Sequence, residues 1–246
     1  MRKVIVMHRQ AVRRAATAPM GFGRGSDGLR VTLLGLLLAV SSCGYSGDGD
    51  KSHKVNGAVH VDAGTAAGSA ETVNGSIDVD PKATVTKAAT VNGSIQFGAH
   101  ANADSVETVN GAITLGEGAR VAGHVQSVNG ALTLHDGAEV AGPLKNVAGR
   151  IEVNSAHVAG GIRTVSGDIS ILGSSHVEGG IVVQKSGNDL LSIGSAVPRV
   201  VIGPGASVQG ELRFERDVHL FVSDKATIGP VTGATAVPFT GDSPPK

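Results

Sequence analysis

Thr72–Val73–Asn74–Gly75–Ser76–Ile77 is the stretch on which the fold turns, because it recurs along the chain. Val55–Asn56–Gly57, Val73–Asn74–Gly75, Val91–Asn92–Gly93, Val109–Asn110–Gly111 and Val128–Asn129–Gly130 are one tripeptide. Val147–Ala148–Gly149 and Val165–Ser166–Gly167 continue it with the middle residue changed. The first residues of these copies are spaced 18, 18, 18, 19, 19 and 18 positions apart. A period this regular marks stacked copies of one supersecondary unit, none of which can bury its apolar face alone.

Within each unit the apolar positions repeat. In the fifth copy they are Val128, Leu132, Leu134, Val140 and Leu144; in the seventh they are Val165, Ile169, Ile171, Val177 and Ile181. Pairs two residues apart, such as Leu132/Leu134 and Ile169/Ile171, mark half-buried strands. A finer spacing of about six residues divides each unit into three short strands. The expected fold is all-β: a single-stranded parallel β-helix with one unit per coil and coils about 4.8 Å apart. The glycines Gly57, Gly75, Gly93, Gly111, Gly130, Gly149 and Gly167 occupy one corner, which needs either a positive φ or the absence of a Cβ. Asn56, Asn74, Asn92, Asn110 and Asn129 are expected to stack as a structural ladder of hydrogen-bonded amides. Thr72, Thr90, Thr108, Ser127 and Thr164 form a second column beside it. The alternative use of both columns is a repetitive binding face for a sugar or another surface.

Composition agrees with a thin aliphatic interior. The 246 residues include 36 Gly, no Trp and one Tyr, so Val, Ile, Leu and Ala must fill the core. The net charge is zero, but residues 1–43 hold seven Lys/Arg and one acid, leaving 14 bases and 20 acids for the remainder. The repeat region has no basic stripe, which argues against a nucleic-acid partner. The single cysteine excludes an internal disulfide and any multi-cysteine metal site.

Residues 1–42 read as a signal peptide: a basic segment, then the apolar run Val31–Val40, then Ser41 and Ser42. Translation from Met20 would give a leader of more ordinary length, and Met1 and Met7 are the other starts. Val40–Ser41–Ser42–Cys43 resembles a bacterial lipobox, although Val at its first position and Ser at its third depart from the pattern. The resemblance implies that Cys43 becomes the lipidated amino terminus. The alternative is a plain cleaved leader in which Cys43 is incidental. Residues 43–53 then form a lipidated, flexible Gly/Ser/Asp tether. The β-helix is expected over 54–212, with a break at Gln184–Pro198. A cap is expected over 213–232, where Phe214 and Phe221 would cover the open core, and a frayed tail over 233–246.

The best carboxylate cluster is Asp62, Asp78 and Asp80 beside His60. Stacked carboxylates of this kind suit a cation such as Ca²⁺ or a glycosidase pair. No aromatic platform or long loop accompanies the cluster, so an outward solvated face is the leading reading. The nine histidines show no metal-ligand spacing, His135 and His157 falling in different phases of the coil. No nucleophile elbow or phosphate loop is present, and no cofactor is expected.

The Val-Asn-Gly-Ser/Ala-Ile phrase, with Gly118–Ala119–Arg120–Val121–Ala122–Gly123 and Gly137–Ala138–Glu139–Val140–Ala141–Gly142, resembles the bactofilin (polymer-forming cytoskeletal) group and related bacterial adhesin β-solenoids. The resemblance covers about Lys54 to Leu212. It implies a right-handed parallel β-helix that stacks end to end, and it supplies no catalytic residues. Bactofilins lack a lipobox and lie on the cytoplasmic side, so the leader here favours an envelope role. The expectation is a non-enzymatic envelope lipoprotein and scaffold, held in the membrane by its lipid and able to form a homopolymer. Gly44 in place of Asp after Cys43 points by analogy to the outer membrane. The alternatives are an adhesin-like module binding glycan, polysaccharide or cell wall, and a polysaccharide-acting enzyme built on His60, Asp62, Asp78 and Asp80.

Overall fold

The computed structural model describes residues 52–185 and 197–244. All 26 strands among them pair in parallel, and none of these residues is helical. One sheet stacks ten short strands, one per coil: Val59–Val61, Ile77–Val79, Ile95–Phe97, Ile113–Leu115, Leu132–Leu134, Ile151–Asn154, Ile169–Leu172, Arg199–Ile202, His219–Ser223 and Ala236–Phe239. The described residues therefore form a β-solenoid of ten coils. Register is kept by the period itself, with Ile77 on Ile95, Ile95 on Ile113 and Ile113 on Leu132. Each of these rungs is essentially inaccessible to solvent. Because side chains alternate across a strand, one inward residue per two positions suffices to build the core.

The second sheet has 16 strands and forks. In the first coils it holds the nine-residue strands Ala66–Asn74, Thr84–Asn92 and Asn102–Asn110. Asn102–Asn110 then pairs with two strands of the next coil: Asn102 and Ala103 with Arg120 and Val121, and Val106 to Asn110 with Val125 to Asn129. The first coils thus have two strands, and three short strands per coil begin only at Arg120. The cause is one residue. Where Asp104–Ser105 bridges Ala103 and Val106, Ala122–Gly123–His124 bridges Val121 and Val125. The extra residue breaks the long strand and makes a corner.

Core volume follows the change. Inward positions on the long strands are mostly small: Ala67, Ala70, Ala88 and Ala103. After the fork the same columns hold Val121, Val125, Val140, Leu144, Ile162 and Ile181. Two facing sheets leave a thin interior that alanine fills, whereas a three-sided coil opens a wider one that close packing requires larger residues to occupy.

Two expectations need correction. The valine of the repeated phrase is not a core rung: Val73, Val91, Val109 and Val128 are half-buried on the outside, and Val55 is 52% exposed. The residue before it points inward. Thr72, Thr90, Thr108, Ser127, Asn146 and Thr164 are all buried. Most of their polar atoms are met by backbone, Thr72 Oγ1 donating to Gly57 O at 3.1 Å and Thr90 Oγ1 to Gly75 O at 3.1 Å, whereas the buried side-chain oxygen of Asn146 has no hydrogen-bond partner among the described residues. The solenoid also runs past 212. Leu212–Phe214, His219–Ser223 and Ala236–Phe239 continue the ladder through the segments expected as cap and tail. Phe214 stacks on Val183 in the column that began with Thr72, so this aromatic is an inward rung and not a lid.

Candidate functional sites along the outer faces

The Asn ladder is built as expected. Asn74 Nδ2 donates to Asn56 Oδ1 at 3.0 Å, Asn92 to Asn74 at 3.0 Å, Asn110 to Asn92 at 3.0 Å and Asn129 to Asn110 at 3.1 Å. It ends where Ala148 follows Asn129 in register. The glycine column beside it exists for closeness. A Cβ on Gly93 would lie well inside the van der Waals shell of Gly75 O, and one on Gly111 would meet Gly93 O in the same way. Of the two reasons offered for glycine at this corner, the missing Cβ is the general one.

At the amino-terminal end the structure brings His60, Asp62 and Asp80 together. His60 Nε2 lies 3.5 Å from Asp62 Oδ1 and 3.3 Å from Asp80 Oδ2. Asp78 pairs with His60 in register, but its carboxylate accepts a hydrogen bond from Ser76 Oγ at 3.1 Å. The cluster is open to water, with the Asp62 side chain 84% exposed. It is an exposed ion-pair group with no enclosing wall, the arrangement of a solvated face.

The same end presents backbone. Val59 N–H bonds Ser76 O, and Val61 O accepts from Asp80 N, so both turn toward the second coil. Peptide groups alternate direction along a strand, so the His60 N–H and C=O face away from the stack. Among the described residues nothing pairs with that edge except Lys54, whose Nζ donates to Ala58 O at 2.7 Å. At the other end Phe239 O accepts from Asp224 N, so the neighbouring Pro238 faces outward and has no N–H to offer.

A third group lies on the strand column that opens at the fork. Thr84, Asn102, Arg120, Glu139, His157 and His176 occupy successive outward positions on it. A groove of about 370 Å³ runs along its first part, lined by Asn102, Asp104, Arg120, Ala122 and Glu139. Arg120 Nε pairs with Glu139 Oε2 at 3.4 Å. Further along, His157 Nε2 donates to Glu178 Oε1 at 2.8 Å, and the rings of His157 and His176 stand 5.5 Å apart. This group is missed when histidines are compared residue by residue. His157 and His176 are 19 positions apart, which is one coil, and counting in coils would have found the pair.

On the neighbouring outer face, Lys87 Nζ lies 3.2 Å from Glu107 Oε2 and His124 Nε2 lies 2.8 Å from Glu107 Oε1. Burial alone would raise the Glu107 carboxyl, but the His124 hydrogen bond and the Lys87 charge together hold it below the ordinary glutamate value. Cys43, the leader and the tether as far as residue 51 lie outside the described residues; Ser52 and His53, expected at the end of the tether, instead open the strand Ser52–Asn56, in register with Ala70 and Glu71. No family model, curated protein or solved structure matches this chain, so the resemblance to bactofilins rests on the repeat alone.

Proposed function

We propose that this chain is a non-enzymatic structural lipoprotein of the bacterial envelope, anchored through Cys43, whose solenoid associates with a second copy through its first coil. The observation that carries the reading is the difference between the two ends. The first coil presents the outward N–H and C=O of His60, whereas the last presents Pro238. A strand edge of this kind is a template for another strand, and proline withholds the donor that pairing needs. Contact between two first coils is self-complementary and closes as a two-fold dimer, not as an open filament. Two lipids on one assembly would hold it to a membrane more firmly than one. Lys54 acts as a plug that restrains the pairing by occupying Ala58 O.

The test is sedimentation of residues 44–246 across a concentration series, with electron microscopy of the same samples. A reversible dimer is expected. His60→Pro should abolish it by removing the outward donor, and Lys54→Ala should strengthen it. Monomers at every concentration, or a dimer indifferent to both changes, would end the reading.

The exposed Asn row favours a second reading, a module that binds glycan or another extended polar surface. Within the row, Asn74, Asn92 and Asn110 each use one donor and one acceptor on their neighbours and keep one of each for a ligand. If so, Asn92→Asp with Asn110→Asp should abolish binding to a cell-wall polysaccharide array without unfolding the chain. Lost stability with unchanged binding would assign the row to structure alone.

A further inference from the structure

The geometry points to a divalent transition-metal site, of the kind that takes Zn²⁺, formed by His157, His176 and Glu178. One potential ligand atom from each residue lies within 4.8 Å of the other two. Zinc holds nitrogen and oxygen ligands at about 2.0–2.2 Å, which places the ligand atoms of one ion roughly 3.3 Å apart. The site requires the three side chains to rotate so that their ligand atoms close by at most roughly 1.5 Å.

The backbone beneath is fixed by the ladder. His157 N–H bonds Ala138 O at 2.9 Å, His176 N–H bonds Ala156 O at 2.9 Å and Glu178 N–H bonds Val158 O at 3.0 Å. Val158 and Val177, the inward residues next to these ligands, are completely buried. The three side chains therefore rise from a rigid floor on adjacent coils. In the present arrangement a proton bridges His157 Nε2 and Glu178 Oε1. For the ion to bind there, the imidazole proton shifts from Nε2 to Nδ1, which leaves the Nε2 lone pair and the Glu178 carboxylate to the metal, and His176 contributes a second ring nitrogen. The next acid on the column, Glu139, is engaged by Arg120, so the set is two imidazoles and one carboxylate. Two nitrogen donors select zinc-like ions over Ca²⁺, which takes six to eight oxygens. Three protein ligands also leave one coordination position open, for water or for a donor from a ligand or partner.

The site is independent of the first-coil edge, and so is its test. Zn²⁺ is titrated calorimetrically into the purified full chain, and Co²⁺ is added in parallel to read its visible d–d absorption. One ion per chain is expected, with the intense band of a tetrahedral nitrogen-containing site. His157→Asn and His176→Asn should each weaken binding by more than about tenfold, Glu178→Gln less, and His60→Asn not at all. Far-ultraviolet circular dichroism checks that each variant keeps its β structure. If a variant does not fold, the Co²⁺ spectrum of the unaltered chain decides alone, and a purely octahedral spectrum overturns the site. Zinc binding that is absent, or that follows His60 and Asp80 instead, reduces His157–Glu178 to an ion pair only and overturns it as well.

Discussion

Single residues here do one job many times. Glycine in the Val-Asn-Gly corner lets one coil approach the carbonyl of the last, so Gly93→Ala has no cheap relaxation open to it. We expect a loss of about 1–3 kcal/mol, measured by urea unfolding. Thr90 answers the carbonyl of Gly75 from inside the core, and Thr90→Val would leave that group without this donor. A loss of about 1–3 kcal/mol is expected by the same measurement. Glu107 makes the fold sensitive to acid. Its carboxyl titrates below the 4.5 of an ordinary glutamate, so the unfolded chain takes up the proton first as pH falls. The stability Glu107 contributes is complete above that value and is lost as pH drops through its lower folded-state value. Melting temperature followed from neutral pH downward should therefore fall below about pH 4.5, and less steeply in Glu107→Gln. An unchanged slope would show that other carboxylates carry the effect.

At the scale of the element, the fork at Asn102–Asn110 sets what each column can hold. Ahead of it, Ala88 faces a thin interior, and behind it Leu144 fills a wide one. Opposite substitutions should therefore both destabilise. Ala88→Leu overpacks, at about 1–3 kcal/mol, whereas Leu144→Ala leaves a cavity, at about 2–5 kcal/mol. Thermal melts of the two variants check the claim, and a neutral Ala88→Leu would show that the first coils are roomier than described. The 18-to-19 change in spacing at Val109–Val128 was visible in the sequence, but a change in period names no position for the added residue. Pairing places it at Ala122–Gly123–His124, where the long strand gives way to a corner.

For the solenoid as a whole, each coil touches only its neighbours, so stability is a chain of local terms and not one global transition. Hydrogen exchange should be slowest in the coils from Ile113 to Leu172, which have a partner on both sides. It should be fastest in Ser52–Asn56 and Ala236–Phe239, which have a partner on one side only. Uniform protection from end to end would argue against this picture. The unequal ends also limit assembly, since an edge with proline cannot answer an edge without it.

From the sequence alone came the period, the parallel stack of coils it implies, the Asn ladder and the glycine corner, because identical residues one coil apart must meet. Which way the phrase faces was not legible. A strand alternates strictly, but two successive outward residues, Asp104 and Ser105, shift the alternation, and only the folded coil shows where that shift falls. The valines were therefore counted among the apolar core positions, but it is the residue before each of them that faces inward. His157 and His176 can be paired by counting in coils, but that Glu178 closes on His157 was not legible without the folded coil. The repeat says which positions recur, and the three-dimensional path of the coil says which of them touch.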